Sequence, residues 1–242
     1  MSQSVAQGPV WLILPTYNEA GNIEPFVKAV RENLPASAEI LIVDDNSPDG
    51  TGEIADRLAA ADAGTQVLHR PGKEGLGPAY IAGFRHALGQ GAGFILEMDS
   101  DFSHDPAQLP RLLAARTTAD LVIGSRYVPG GSAGDWSAVR RAISRSGSAY
   151  ARLVLGLGVR DLTGGFKCFR REVLETIDLD LVEAKGYAFQ VELTYRTIQS
   201  GFKVAEVPIT FRDRQVGSSK MNGSIVAEAA WRIPLLRYRR DS

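Results

Sequence analysis

Asp99-Ser100-Asp101 closes the apolar run Phe94-Ile95-Leu96-Glu97-Met98. The run reads as a buried strand, with both carboxylates placed where it stops. Side chains two apart on an extended segment share a face, so Asp99 and Asp101 can face one cation. Hard oxygen ligands suit Mg²⁺ or Mn²⁺, and a metal with few protein ligands completes its shell with phosphates and water. That is the chemistry of a metal-nucleotide enzyme. Asp-x-Asp is also common in solvated turns, so the neighbouring loops have to decide.

Those loops follow strand-like runs in the same way. Pro15-Thr16-Tyr17-Asn18-Glu19 follows Val10–Leu14, and Asp44-Asp45-Asn46-Ser47-Pro48-Asp49-Gly50 follows Glu39–Val43. Arg70-Pro71-Gly72-Lys73-Glu74-Gly75-Leu76-Gly77 follows Gln66–His69. Taken singly, the second loop is an Asx-type turn and the third is glycine punctuation. Neither a full G-x-x-x-x-G-K-[ST] nor a G-x-G-x-x-G occurs, which disfavours a P-loop ATPase or a Rossmann dehydrogenase. Together they matter because the carboxyl ends of an open parallel sheet share one edge, where ligands bind.

The elements that must position these loops alternate strand and helix. Helices are expected over Asn22–Leu34, with Asn22 as N-cap, Thr51–Ala61, capped by Thr51, and Gly77–Leu88. A further helix enters at Asp105 with Pro106 in its first position and runs to about Arg116. Leu121–Gly124 is a fifth strand. This rhythm predicts an α/β fold, a mostly parallel sheet flanked by helices. The second half is less regular: helix over Ala138–Leu157, strand Phe166–Phe169, helices Arg171–Ile177 and Phe189–Gln199, and an alternating segment Lys203–Phe211. Val207-Pro208 marks that last segment as an edge or a break. Ile225–Leu236 reads as an amphipathic C-terminal helix, with Pro234 as a point of interruption.

The chain has 242 residues, 44% of them hydrophobic, enough for one sizeable core. Net charge is −1, so a global basic field for nucleic acid is absent. The single cysteine, Cys168, excludes an internal disulfide and a Cys-based zinc site and fits a reducing, cytosolic setting; it reads as a small core side chain. No leader-like segment or run of roughly 18–20 apolar residues is evident. His69 and His86 read as ordinary packing or solvated residues. His104 lies near the carboxylate triplet, where helix entry is the simpler role and a place behind a metal the alternative.

With these residues together, the chain resembles the family two glycosyltransferases of the GT-A (Rossmann-like) fold, and within them the dolichol- or polyprenol-phosphate mannose synthases. Beside the loops above, the matching segments are Gly124-Ser125-Arg126-Tyr127, Asp161-Leu162-Thr163-Gly164-Gly165-Phe166, Lys185-Gly186-Tyr187 with Phe189-Gln190, and Arg214 with Gly217-Ser218-Ser219-Lys220. The match runs in order from about residue 10 to 222 and implies one domain over 1–242. Residues 10–130 form its nucleotide-sugar half, 131–222 its acceptor half and 223–242 its C-terminal helix.

The resemblance implies GDP-mannose as donor and a polyprenyl monophosphate lipid as acceptor. It places Pro15, Tyr17 and Glu19 around the nucleoside and Asp44 near the base or ribose. Ser100 belongs to the donor site, and Asp99 and Asp101 hold the metal on the diphosphate. Arg214 and Lys220 lie in a segment that closes over the diphosphate, and Arg126 and Arg140 meet the acceptor phosphate. Family members often carry Gln where this chain has Ser103, so Ser103 takes over as third ligand directly or through water. The rivals are a polyprenol-phosphate glucose synthase using UDP-glucose, a transferase with a soluble glycan acceptor, and a non-catalytic nucleotide-binding regulatory module. Arginines mixed with Ile143, Leu153, Val154 and Leu155, and with Trp231, Leu235, Leu236 and Tyr238, also suit helices lying in a headgroup layer. Pattern alone favours packing on the core; the lipid acceptor brings peripheral attachment to the cytoplasmic face level with it. A separate membrane subunit is the other route to the lipid.

Overall fold

Strand-like apolar runs and amphipathic segments alternate along the computed structural model, which describes residues 8–134, 136–182, 186–212 and 231–237. The strands are β1 (Val10–Thr16), β2 (Glu39–Asp44), β3 (Thr65–His69), β4 (Phe94–Glu97), β5 (Leu121–Ser125), β6 (Lys167–Arg170) and β7 (Val204–Pro208). They form one seven-stranded sheet in the order β3-β2-β1-β4-β6-β5-β7. All pairings are parallel except those of β6, which is antiparallel to both neighbours. The strand order reverses at β1, between β2 and β4, so a crevice opens beyond the carboxyl ends of β1 and β4.

Strand alternation divides the core between two faces. Leu12, Leu14, Ile40, Ile42, Phe94 and Leu96 pack under α1 (Ile23–Asn33), α2 (Thr51–Ala61) and α4 (Leu109–Ala115). Trp11, Ile13, Leu41, Val43 and Ile95 pack under α3 (Leu76–Gly89), α5 (Ala138–Leu155), α6 (Arg171–Thr176) and α7 (Gly186–Gln199). Helix α1 shows why: Ile23, Phe26, Val27 and Val30 recur at helical spacing and are all buried. Helix α3 lies so close to β1 that a Cβ on Gly83 would fall 2.4 Å from the Ile13 side chain.

Several local expectations need correction. Thr51 does not cap α2. Gly50 does, in the left-handed region at φ 88°, and the Thr51 hydroxyl donates to Asp49 instead. Asn22 holds the N-cap position of α1 as expected, its carbonyl accepting from the Phe26 N–H, but its side chain caps nothing and its amide donates to Glu19 Oε2 at 2.7 Å. The helix after Asp105 begins as a 3₁₀ turn over Pro106–Gln108, with Asp105 accepting from the Ala107 N–H as expected. Of the segment ending at Phe211, the sheet strand stops at Pro208, on the edge where a proline is tolerated, and Thr210 and Phe211 go on as isolated bridges to Ser132 and His104. Residues 231–237 are helical and continue through Pro234, so the helix is not interrupted there; residues 225–230 lie outside the described residues.

Helix α5 also departs from simple core packing. Its buried residues are Ser148, Ala151 and Leu155, whereas Val139, Ile143, Tyr150 and Leu153 face outward, Leu153 at 81% exposure. Trp231 and Leu235 are exposed as well, while Ile233 and Leu236 enter the core. Arg237 donates to the Val154 carbonyl at 2.8 Å, which ties this last helix to the end of α5.

Candidate active site

The loops after β1 and β2 are laced together by side chains reaching backbone groups. The Asp45 N–H donates to Thr16 O, Asn18 N–H to Ser47 Oγ, Glu19 N–H to Thr51 Oγ1 and Ala20 N–H to Asp49 Oδ2. Asp44 is buried and accepts from Thr16 Oγ1, Ser47 N and Ser47 Oγ. The loop after β3 joins them through Arg70, whose N–H reaches Asp44 O and whose guanidinium bridges Asp45 and Glu74. Burial raises the Asp45 pKa against the pull of Arg70. Lys73 Nζ stands 4.2 Å from the centre of the Tyr17 ring, and Glu19 is buried with its carboxylate on Asn22. Pro15 is joined to the fourth loop: Ser100 Oγ donates to Pro15 O at 3.1 Å, across the point where the strand order reverses.

The Asp99-Ser100-Asp101 triplet is not an extension of β4. The strand stops at Glu97 and the chain bends, with Phe102 in the left-handed region at φ 61°. A bend, not strand alternation, therefore orients the two carboxylates. Asp101 is buried and its Oδ1 accepts from the Ser103 N–H at 3.0 Å. Asp99 is partly open to solvent and accepts from the buried Tyr80 hydroxyl at 3.3 Å. The Ser103 hydroxyl is buried with no hydrogen-bond partner. An orphaned oxygen beside two carboxylates is a donor set that fits a hard divalent cation. Among the described residues no three His, Cys, Asp or Glu side chains gather as a closed metal cage, so phosphate and water oxygens would have to complete the shell.

His104 closes the back of this loop. Its Nδ1 accepts from the Asp99 N–H at 3.3 Å, and its ring stacks on Phe166 and meets the edge of Phe211. Burial lowers its pKa from 6.5 to about 4, so it is a neutral acceptor at neutral pH. Beneath the loop, Glu97 and Lys167 form a cross-strand pair, both fully buried, with Lys167 Nζ 3.6 Å from Glu97 Oε1. Lys167 donates to the Gln190 carbonyl and side chain, and both Glu97 oxygens lack a hydrogen-bond donor. Burial, only partly offset by Lys167, pushes Glu97 from 4.5 up to about 7.

These two groups act on stability in opposite directions. As pH falls from 6.5 towards 4 the unfolded chain takes up the His104 proton first, so stability is lost. As pH rises from 4.5 through 7 the folded chain holds the Glu97 proton longer, so stability is lost in that direction. Each shift corresponds to about 3 kcal/mol at its limit. On acidification from pH 6.5 to 4.5 the melting temperature measured in chelator should therefore fall more steeply in Glu97→Gln than in the wild-type chain, because the opposing contribution of Glu97 is gone. Parallel profiles for the two chains would contradict the assignment.

Across the sheet, Arg126 follows β5 and is buried. It makes a bidentate pair with the fully buried Asp161, Nε to Oδ2 at 2.8 Å and Nη2 to Oδ1 at 2.7 Å, and also donates to Thr163. Asp161 is held by Glu206 of β7, which accepts from the Arg160 and Asp161 N–H groups. Arg140, in the first turn of α5, lies over the Trp136 ring at 4.2 Å, and Arg126 lies 5.5 Å from the same ring. The structure thus brings Arg126 and Arg140 to one indole. Asp161 and Tyr80 belong to matched segments that give neither a role, and Trp136 and Glu206 carry no signal in the sequence; what singles out all four is spatial. Arg214 and Lys220 lie outside the described residues. Cys168 is buried, its thiol pushed up to about 12 by burial, and is chemically quiet.

Polar loops gathered where the strand order of a mostly parallel sheet reverses are the arrangement of an α/β enzyme, and comparison with known proteins gives its family. The family model described as glycosyl transferase family 2 matches residues 11–178. The chain belongs to the family 2 glycosyltransferases and is an enzyme of the GT-A fold. It is 53% identical over 220 residues to an undecaprenyl-phosphate mannosyltransferase of Micrococcus luteus, covering 91% of this chain and 90% of that protein. It is 50% identical over 224 residues to a polyprenol monophosphomannose synthase of Mycolicibacterium smegmatis, covering 92% and 84%. Among solved structures, glucosyl-3-phosphoglycerate synthase from Mycobacterium tuberculosis, in complex with Mn²⁺, UDP and glucosyl-3-phosphoglycerate, superposes with a TM-score of 0.68. It is 21% identical and covers 96% of this chain and 80% of that one, a likeness of fold.

Proposed function

We propose that this enzyme transfers mannose from GDP-mannose to a polyprenyl monophosphate, giving a polyprenyl phosphate β-mannose. The observation that carries the reading is the pair of guanidiniums, Arg126 and Arg140, gathered at Trp136 on the acceptor side of the site. A paired cation site suits an anionic phosphate acceptor. The names of the relatives at about half identity point to the same acceptor class.

A phosphate oxygen is already a nucleophile, so the reaction needs no strong base. It attacks the sugar anomeric carbon, and the bond from that carbon to the nucleoside diphosphate breaks with its electrons leaving on the diphosphate. One displacement inverts the α-linked donor to a β-linked product. Pro15, Tyr17, Glu19 and Asp44 line the nucleoside side, and Ser100 ties that side to the diphosphate side. Asp99, Asp101 and Ser103 would hold Mg²⁺ or Mn²⁺, which supplies positive charge to the leaving diphosphate. Arg214 and Lys220 are assigned to the same leaving group from their motif.

Access to the lipid is assigned to the outward face of α5 and the helix at 231–237. Val139, Ile143, Leu153, Trp231 and Leu235 there lie among arginines, a composition suited to an anionic headgroup layer. No helix among the described residues is long and apolar enough to cross a membrane. From the lipid acceptor and this outward face we assign peripheral attachment at the cytoplasmic face. Flotation with anionic vesicles should be several-fold weaker for Ile143→Glu/Leu153→Glu. Equal flotation of the variant, with an unchanged melting curve, would remove this face from the assignment.

The test of the function is transfer of labelled sugar to undecaprenyl monophosphate from GDP-mannose and from UDP-glucose, with Mg²⁺ or Mn²⁺ and then with chelator. Mannosyl lipid from GDP-mannose, lost with chelator, is the expected result. Product from UDP-glucose alone would replace the donor. No lipid product with both nucleotides still bound would replace the acceptor or call for a membrane subunit.

A further inference from the structure

Trp136 immediately precedes the α5 cap residue, is only 5% exposed, and its indole N–H has no acceptor. A buried donor left unpaired is unfavourable and calls for a partner. The Trp11 N–H shares that condition, but its ring neighbour is His86. Trp136 alone of the two stands among cations. The Arg140 guanidinium lies 4.2 Å and that of Arg126 5.5 Å from its ring centre, and Phe211 meets the ring edge-on at 5.1 Å. Asp161 offsets the charge of Arg126, and the ring face stabilises both guanidiniums.

We propose that Trp136 is a direct donor to the phosphomonoester of the acceptor. Its N–H provides an uncharged third contact beside Arg126 and Arg140, and its ring positions the Arg140 guanidinium. This rests on the acceptor-side reading given above. The chemistry recognised is a phosphate monoester dianion, whether the headgroup of a lipid or free inorganic phosphate. An uncharged donor has a distinct use here: it adds a directed contact to the anion without adding to the repulsion between the two arginines.

Trp136→Phe keeps the ring and removes the N–H; Trp136→Leu removes both. With undecaprenyl monophosphate in detergent, the Phe variant should raise the acceptor KM about tenfold and leave the donor KM unchanged. The Leu variant should raise it further, because the platform for Arg140 is lost. Inorganic phosphate, used as a competitor of the lipid, should lose inhibition in the Phe variant by the same factor. Arg140→Ala is measured alongside. If Arg140→Ala leaves the acceptor KM unchanged, the acceptor-side reading itself fails. If Arg140→Ala raises it while Trp136→Phe does not, that reading stands and the role of Trp136 is overturned. A Phe variant that weakens the lipid but not inorganic phosphate also overturns it, since the contact would then be with the chain. Should the variants not fold, indole ¹⁵N–¹H spectra of the wild-type chain decide, with Trp11→Phe and Trp231→Phe used to assign the resonances. The Trp136 N–H should move downfield on adding farnesyl phosphate or inorganic phosphate; an unmoved resonance at saturating ligand overturns the proposal.

Discussion

Asp101→Ala is expected to lower turnover by about a thousandfold or more while leaving the chain folded. Asp101 is the buried member of the carboxylate pair and also holds the Ser103 backbone, so on the proposed metal site its loss removes one ligand and releases the turn that presents another. Loss of a metal-binding carboxylate removes charge stabilisation that develops with the leaving diphosphate, on the order of 4 kcal/mol, or about three powers of ten in rate. Asp101→Asn keeps the shape and should lose nearly as much, because the charge is gone. Asp99 is partly solvated, and its replacement should be milder. The measurement is kcat at saturating donor and Mn²⁺, beside a thermal melt in chelator. Turnover within tenfold of wild type for Asp101→Ala would remove Asp101 from the metal site.

Asp161→Asn should be the most damaging change for stability among the site residues. Asp161 is fully buried and receives both forks of Arg126. Removing one partner of a buried pair leaves an uncompensated charge, which costs about 3–5 kcal/mol. For a chain of this size that corresponds to a fall in melting temperature of roughly 10 °C. Calorimetry reads this directly, and a fall under about 2 °C would mean that Arg126 relaxes into water or onto the surrounding rings. Asp161→Asn should also raise the acceptor KM, since it frees the guanidinium that Asp161 orients.

Much of this architecture was legible in the chain. Val10–Leu14, Glu39–Val43 and Phe94–Met98 are short buried runs, each followed by a polar loop, and their ends fall within two residues of those of β1, β2 and β4. The mostly parallel sheet, with its polar loops on one edge, follows from that pattern; the strand order and its reversal at β1 do not. What was not legible is what folding brings together from afar. Arg126 and Asp161 meet across the sheet, and Trp136 is an ordinary aromatic until two arginines surround it. Glu97 reads as an intruder in an apolar run until β6 sets Lys167 opposite it. Thr51 was misassigned because a left-handed Gly50 takes the capping position, a backbone property that residue type alone does not reveal. The bend at Phe102 hid the orientation of the carboxylates for the same reason.

The antiparallel β6 wedged between β4 and β5 has a consequence for how the protein is made. On the ribosome β1 to β4 emerge in sequence and can pair as they appear. The outer edge of β4 then waits until Lys167–Arg170 has been synthesised. Until that moment a nascent chain carries the loops after β1 to β4 on a sheet with an unprotected, apolar edge, a surface prone to pair with other chains. Premature termination before β6 therefore yields not a half-active enzyme but a sticky one.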